Sequence, residues 1–127
     1  MNFSHRRQLS ISFAQAIEGV KAGLQQEGFG ILSEIDVQST LKKKLNVEYN
    51  KYVILGACNP SFAFQALQAE KDIGLLLPCN IIVYEAEGHV HASAILPSVT
   101  MGVVGLPSVA GVAAEVEKRL KKVIDSL

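Results

Sequence analysis

The feature of this sequence that most constrains its fold is a pair of strand-length segments separated by only two residues. Residues 80–86 and 89–96 are rich in apolar and β-branched side chains, and Glu87 and Gly88 join them. A two-residue connection that contains glycine is typical of a β-hairpin, because hairpin turns need positive φ angles. The sequence therefore predicts an antiparallel strand pair in the second half of the chain.

The length of this turn determines which side chains share a face of the hairpin. With a two-residue turn, Ala86 lies opposite His89 and Tyr84 lies opposite His91, whereas a one-residue slip would exchange the two faces. One face is then apolar and is predicted to belong to the core: Cys79, Ile81, Val83, Val90, Ala92, Ala94 and Leu96. The other face is mixed: Asn80, Ile82, Tyr84, His89, His91, Ser93 and Ile95.

Helix and strand signals alternate along the preceding part of the chain. Ser12 and Gln15 have the spacing of a capping box, which predicts the start of a first helix. The apolar run at residues 52–58 predicts a central strand that is covered on both faces. Asn59 and Pro60 follow it as the expected capping residue and first residue of another helix.

The predicted order of elements is strand, helix, strand, short helix, strand, helix, strand, strand, helix. The first two strands fall near residues 7–11 and 29–37, and Ser108 opens the last helix. This order favours the α+β class. We expect one compact domain, residues 1–127, with a mixed or antiparallel sheet of about five strands backed by helices.

The charge balance argues against an electrostatic partner. Twelve basic and twelve acidic residues give a net charge of zero, so we expect neither nucleic acid nor an anionic membrane surface as a partner. The basic run at residues 42–44 is interpreted as a solvated helix face. Residues 92–114 contain no charge, but Pro97 and Pro107 interrupt them, which disfavours a membrane span.

The apolar content is high for a chain of 127 residues. Hydrophobic residues make up 49% before glycine is counted, whereas globular domains have roughly 45–50% with glycine included. Some of this surface should lie at a subunit interface or line a cleft. The two cysteines do not form a disulfide framework, and reduced thiols suit a soluble protein of the cytoplasm.

Two segments that each contain a Cys-Asn pair carry a resemblance to a known family. Residues 55–60 (LGACNP) and 76–80 (LLPCN), followed by Val-Tyr-Glu at 83–85, resemble the uncharacterised prokaryotic family called domain of unknown function 302. The likeness covers most of the chain and weakens after Met101, where residues 102–107 are unusually apolar. The resemblance implies a compact α+β fold and a homodimer. It implies no established activity, substrate or catalytic residue.

Cys58 is the candidate catalytic or ligand-binding residue with the clearest physical argument. It ends a strand directly before a helix, where the helix dipole and free backbone N–H groups favour a thiolate or a bound anion. The alternative is that Cys58 is simply a small apolar residue at the end of a buried strand. Cys79 is its possible redox partner, although the spacing of the two cysteines is not Cys-x-x-Cys.

Other polar residues near the predicted hairpin could complete a ligand site. The candidate ligand-binding residues are Cys58, Asn59, Asn80, Tyr84 and His91. His89 and His91 share one face of a strand, but zinc needs at least three protein ligands, so we predict no metal site. The sequence contains no phosphate-binding glycine loop, catalytic triad order or paired-carboxylate signature, so enzyme activity and cofactor stay unassigned.

Three functional hypotheses follow in order of preference. The first is a homodimeric module that binds a small, anionic ligand near residues 58–60 and the mixed face of the hairpin. The second is a thiol-dependent redox enzyme that uses Cys58, with Cys79 as a possible partner. The third is an interaction or structural protein in which the apolar segment 101–112 docks on the dimer mate or on another partner.

Overall fold

The computed structural model describes residues 2–127, which form one sheet with helices packed on one of its faces. The strands are β1 (Ser4–Leu9), β2 (Gly30–Asp36), β3 (Tyr52–Cys58), β4 (Cys79–Ala86) and β5 (His89–Ile95). The α-helices are α1 (Phe13–Gln26), α2 (Val37–Leu45), α3 (Pro60–Ala69), α4 (Pro97–Thr100) and α5 (Pro107–Asp125). Two 3-10 helices, Lys71–Leu76 and Met101–Val104, precede β4 and α5.

The strand order across the sheet is β1-β5-β4-β3-β2, and every neighbouring pair is antiparallel. The α+β prediction is confirmed, and of the two sheet types expected, the wholly antiparallel one occurs. The hairpin has the predicted register, in which Ala86 pairs with His89 and Tyr84 with His91. Glu87 and Gly88 both have positive φ angles, as a two-residue hairpin turn requires.

Helices α1, α3 and α5 cover one face of the sheet, and the core lies between them. We call this side the covered face and the opposite side the open face. At the centre of the covered face, the side chains of Leu55, Ile81 and Val83 are completely buried. The prediction that residues 52–58 are covered on both faces is wrong, since Ile54 on the open face is only half-buried. An antiparallel sheet can be stable with helices on only one face, and here the other face also carries apolar residues.

Several ends of helices and strands agree with those predicted from local sequence signals, and others do not. The capping box is present: Gln15 N donates to Ser12 Oγ at 3.1 Å, and Ser12 N donates to Gln15 Oε1 at 3.0 Å. Pro60 is the first residue of α3, as predicted, but the Asn59 side chain makes no capping hydrogen bond. β1 begins at Ser4 rather than at residue 7, because its pairing with β5 extends from Leu9 back to Ser4.

The uncharged stretch at residues 92–114 does not form one helix. It is divided among β5, α4, the second 3-10 helix and the start of α5. In the part of the chain that the structure describes, no helix has both the length and the apolar character needed to cross a membrane.

Candidate functional site

The two cysteines lie at the same end of the sheet. Cys79 pairs with Ala57, so Cys58 is one residue beyond the partner of Cys79 on the neighbouring strand. Both are free thiols, Cys79 buried and Cys58 half-buried. Antiparallel pairing of β3 and β4 therefore brings together two residues that are 21 positions apart in the sequence, which the sequence alone did not establish.

Both cysteines border one small cavity under α3. Cys58, Asn59 and Cys79 line it together with apolar side chains of α3 and α5, among them Phe62 and Val116. Its volume is about 20 Å³, and a cavity needs roughly 10–15 Å³ to hold a single water molecule. In this conformation the cavity has room for one water but not for an organic ligand.

The Cys79 thiol is electrostatically unsuited to nucleophilic chemistry. Burial, with a smaller contribution from the nearby Cys58 thiol, raises the pKa of Cys79 to about 11. The thiolate is the reactive form of cysteine, so Cys79 is protonated and unreactive at neutral pH. The geometry thus places both thiols beside one cavity but gives Cys79 no activation.

Asn59 joins α1 to α3 instead of capping α3. Its Nδ2 lies 3.5 Å from the Glu27 carbonyl oxygen at the end of α1, and Arg119 Nη1 donates to the same oxygen at 3.1 Å. Gly28 has a φ of 84°, and a Cβ there would lie 3.2 Å from Asn59 Nδ2. Glycine at this position therefore permits both the backbone turn and the approach of Asn59.

Arg119 is a member of this site that the sequence did not identify. Its guanidinium lies 5.0 Å from the centre of the Phe62 ring in the first turn of α3, and its Nε donates to Glu115 Oε1 at 3.1 Å. The Glu115–Arg119 spacing indicated only an ion pair along a helix, and that pair is present. Its position beside the first turn of α3 depends on how α5 crosses α3, which no local pattern encodes.

Tyr84 and His91 lie far from the cysteines, at the other end of the sheet and on the open face. The Tyr52, Tyr84 and His91 rings form a stacked row across β3, β4 and β5, with centroid separations of 5.4 and 5.0 Å. Arg6 Nη1 donates to Tyr84 Oη at 3.3 Å. We call Tyr52, Tyr84 and His91 the aromatic row.

The five candidate ligand residues therefore form two groups rather than one site. Cys58 and Asn59 border the covered cavity, whereas Tyr84 and His91 belong to the open face. Asn80 is exposed on the open face, four residues along β4 from Tyr84, a separation of roughly 13 Å. No single small molecule can contact all five in this conformation.

His89 and His91 do not have further metal ligands around them. His89 Nδ1 lies 3.2 Å from Gln8 Nε2, and His91 stacks on Tyr84. Among residues 2–127, no three His, Cys, Asp or Glu side chains are placed to hold a metal ion together.

Comparison with known proteins shows to which family the chain belongs. The family model described as domain of unknown function DUF302 matches residues 5–127, nearly the whole chain. The chain belongs to the DUF302 family. A crystal structure of an uncharacterised conserved DUF302 protein from Bacillus stearothermophilus is 31% identical, with 98% of each chain covered and a TM-score of 0.92. No curated protein matches the chain.

Membership in DUF302 agrees with the resemblance of the two Cys-Asn segments and with the α+β fold. The family has no established activity, and the structural relative is itself uncharacterised. A function for this DUF302 protein must therefore be argued from its own surfaces.

Proposed function

We propose that this DUF302 protein is a homodimeric binding module in which the open face of the sheet packs against the same face of a second copy. One observation supports the proposal above the others: the open face is composed like an interface core. By strand register, and apart from Gly30 and Cys58 at the cavity end of the sheet, its residues are Ser4, Arg6, Gln8, Ser33, Ile35, Tyr52, Ile54, Gly56, Asn80, Ile82, Tyr84, Ala86, His89, His91, Ser93 and Ile95.

This composition departs from that of a solvated sheet face. Within residues 2–127, Arg6 is the one permanently charged residue on the open face, and isoleucines and tyrosines occupy its centre, whereas the water-facing side of an antiparallel sheet is normally polar. Interface cores are depleted of charge and enriched in tyrosine. Ile54 and Ile82 at the centre, flanked by Tyr52 and Tyr84, match that pattern.

The area of the face also suits a stable dimer. Five strands about 4.8 Å apart and about seven residues long at 3.3 Å per residue span a projected area of roughly 550 Å². Side-chain relief makes the accessible area larger. A standard interface buries about 800 Å² on each partner, so the open face supplies most of what such an interface needs.

A single-stranded nucleic acid is the strongest alternative occupant of this face, because exposed aromatic rings on sheets can stack on bases. Two features disfavour it. The rings of the aromatic row already stack on one another, at 20° between planes. Arg6 is the one permanent cation among the open-face residues described above, whereas sites for nucleic acid strands combine stacking with a basic groove.

The proposal is tested by placing a charge at the centre of the open face. Ile82→Asp should raise the dimer dissociation constant about a hundredfold or more, because the buried carboxylate would have no partner in the interface. Phe64→Asp is the matched control: Phe64 is an exposed apolar residue of α3, on the covered side. Sedimentation velocity over a concentration series, with circular dichroism to verify folding, measures both.

We expect a wild-type dimer of twice 13.7 kDa, an unchanged Phe64→Asp dimer and a monomeric, folded Ile82→Asp variant. A wild-type protein that stays monomeric throughout would refute the proposal. If that monomer bound a single-stranded oligonucleotide and Ile82→Asp abolished the binding, the nucleic-acid alternative would replace it.

A small anion at the first turn of α3 is a second candidate function. α3 has no side-chain cap, Arg119 lies over Phe62, and Asn59, nine-tenths buried, borders the adjoining cavity. Backbone N–H groups at a helix start bind anions, and a guanidinium adds to the attraction. Glu115 neutralises part of that charge, so we expect weak binding.

Inorganic phosphate is the simplest probe of this candidate. Titration should shift the amide resonances of Ser61 and Phe62, and Arg119→Met should abolish the shifts while leaving the rest of the spectrum intact. Shifts spread over many exposed amides, or unaffected by Arg119→Met, would refute it.

The thiol-enzyme hypothesis keeps only Cys58 as its reactive group. It predicts that Cys58 in the native protein alkylates faster at pH 7 than a free thiol does. Slow reaction of Cys58 until the protein unfolds would end this hypothesis. A cytoplasmic location, argued from the two cysteines, stays a prediction.

A further inference from the structure

Helix α2 is the one α-helix of residues 2–127 with at least two turns that contributes nothing to the core. None of its nine residues is buried, and it packs mainly on β2 and β3 at the end of the sheet that carries the aromatic row. Isolated helices shorter than about 12–15 residues are marginal in water, and most helices owe their stability to an apolar face packed on other elements. α2, in which Val37 and Leu41 are only half-buried, therefore has little of the usual source of helix stability within its own chain.

The segment from α2 to β3 is nevertheless well organised. Asp36 Oδ1 accepts from Ser39 N at 3.0 Å at the start of α2, and Asn46 in the left-handed region ends it. The loop that follows folds back along the helix, because Gln38 Nε2 donates to the Tyr49 carbonyl oxygen at 2.9 Å and Lys42 pairs with Glu48. We call residues 37–51 the arm.

The arm presents three apolar side chains to solvent. Leu45 is 66% exposed, Val47 42% and Tyr49 48%. The Tyr49 ring lies 6.2 Å from the ring of Tyr52, which begins the aromatic row. Through Tyr49 the arm is thus continuous with the open face, and a molecule covering that face would meet the arm there.

We infer that the arm is a second element of the dimer interface, which closes over the partner copy through Leu45, Val47 and Tyr49. The inference rests on the proposed function, because the occupant is the second copy that packs on the open face. Continuity with that face selects this occupant over an unrelated partner. By two-fold symmetry the arm of each copy packs on the other copy, so both α2 helices gain packing that one chain alone does not provide.

The test compares two variants of the arm in the full-length protein. Leu45→Asp/Val47→Asp removes the apolar side chains and should raise the dimer dissociation constant about ten- to a hundredfold. Lys43→Asp is the control: it places a carboxylate in the same helix, two residues from Leu45 and on the other side. It should leave the dissociation constant within about threefold of wild type.

A second readout distinguishes packing on the partner from a local effect. Hydrogen exchange of the amides of residues 41–47 should accelerate when the wild-type dimer is diluted below its dissociation constant. The Ile82→Asp monomer should exchange fast at every concentration. Amides at the centre of β4 should be unaffected in both comparisons, because they are protected by the fold of one chain.

The outcomes separate this inference from the proposed function. If Ile82→Asp is monomeric but Leu45→Asp/Val47→Asp dimerises like the wild type, the open face is the interface and the arm is not part of it. An equal loss of dimer in Lys43→Asp, or arm exchange that is independent of concentration, would also overturn the inference. A wild-type monomer would refute both proposals.

Discussion

Two adjacent residues of β4 show how differently the two faces of this sheet are used. Ile81 points to the covered face and is completely buried beneath the helices, whereas Ile82 points to the open face and is only half-buried. Backbone, strand and side-chain type are the same at both positions. The side chain of Ile81 is fully covered by its own chain, whereas its own chain leaves part of the Ile82 side chain exposed.

The comparison accounts for the high apolar content of the sequence. The covered face is closed: even the cavity between Cys58 and Cys79 holds no more than about one water. The open face is mixed in composition, but its centre is apolar and no helix of residues 2–127 covers it. Some of the apolar residues beyond the needs of one core, namely Ile35, Ile54, Ile82 and Ile95, therefore lie on a surface of interface size.

The largest expected effect separates the two isoleucines. Ile81→Ala should lower the free energy of unfolding by about 2–5 kcal/mol at every protein concentration, because it leaves a cavity in the core. Ile82→Ala should lower it by less in dilute protein, and by a larger amount at concentrations where the wild type is dimeric. Urea unfolding at several concentrations makes the measurement. Equal, concentration-independent losses would mean that the two faces do not differ.

Because the Cys79 thiol is buried on the covered face, the free energy of unfolding should depend on pH in the range where this thiol ionises. Its folded-state pKa of about 11 exceeds the ordinary value of 9.0, so folding favours the protonated thiol. The stability it contributes is full below pH 9 and is lost as the pH rises towards 11, by about 2–3 kcal/mol. Cys79→Ala should lack this decline, so the difference between the two proteins in urea unfolding isolates it. A constant difference from pH 8 to 11 would contradict the assignment.

At Gly56 the chain's own residues crowd the open face. A Cβ there would overlap the Ser33 hydroxyl and lie 2.9 Å from Pro78 Cγ. Gly56→Ala should cost about 1–3 kcal/mol of unfolding free energy. Adding Ser33→Ala should recover part of it, because the hydroxyl is removed while the strand keeps a side chain. Thermal unfolding of the single and double variants tests this, and a neutral Gly56→Ala would show that the strands can separate easily here.

Arg119 has the smallest expected effect because it is partly exposed. Arg119→Met retains the packing of the stem on Phe62 but loses the hydrogen bond to the Glu27 carbonyl and the cation–π contact. We expect a loss of about 1 kcal/mol in chemical unfolding. Arg119→Lys should recover little, since an ammonium cannot reproduce the planar fork. Full recovery by lysine would show that only charge matters.

Local signals in the sequence were sufficient for the hairpin and for several element boundaries. The two-residue turn at Glu87 and Gly88 set the register and both faces of β4 and β5, and the pairs observed are the pairs predicted. Ser12 and Gln15 likewise formed their capping box. Each of these features depends on residues within a few positions of one another.

Features that depend on long-range packing were not predictable in the same way. The apolar run of β3 suggested cover on both faces, because a half-buried strand and a buried one differ only in what packs on Ile54. Asn59 had the sequence of a helix cap, but the approach of Glu27 from α1 gave its side chain another contact. The placement of Cys58 and Cys79 beside one cavity depends on the strand order, which no local pattern specifies.

The central claim is that the open face is buried between two copies, and hydroxyl-radical footprinting of the wild type tests it most directly. Oxidation of Tyr84 should rise several-fold when the protein is diluted through its dimer dissociation constant. Phe64, exposed on α3, should react equally at all concentrations, and Met101, buried in the core, should stay protected. Tyr84 labelling that is as high in concentrated as in dilute protein would contradict the account.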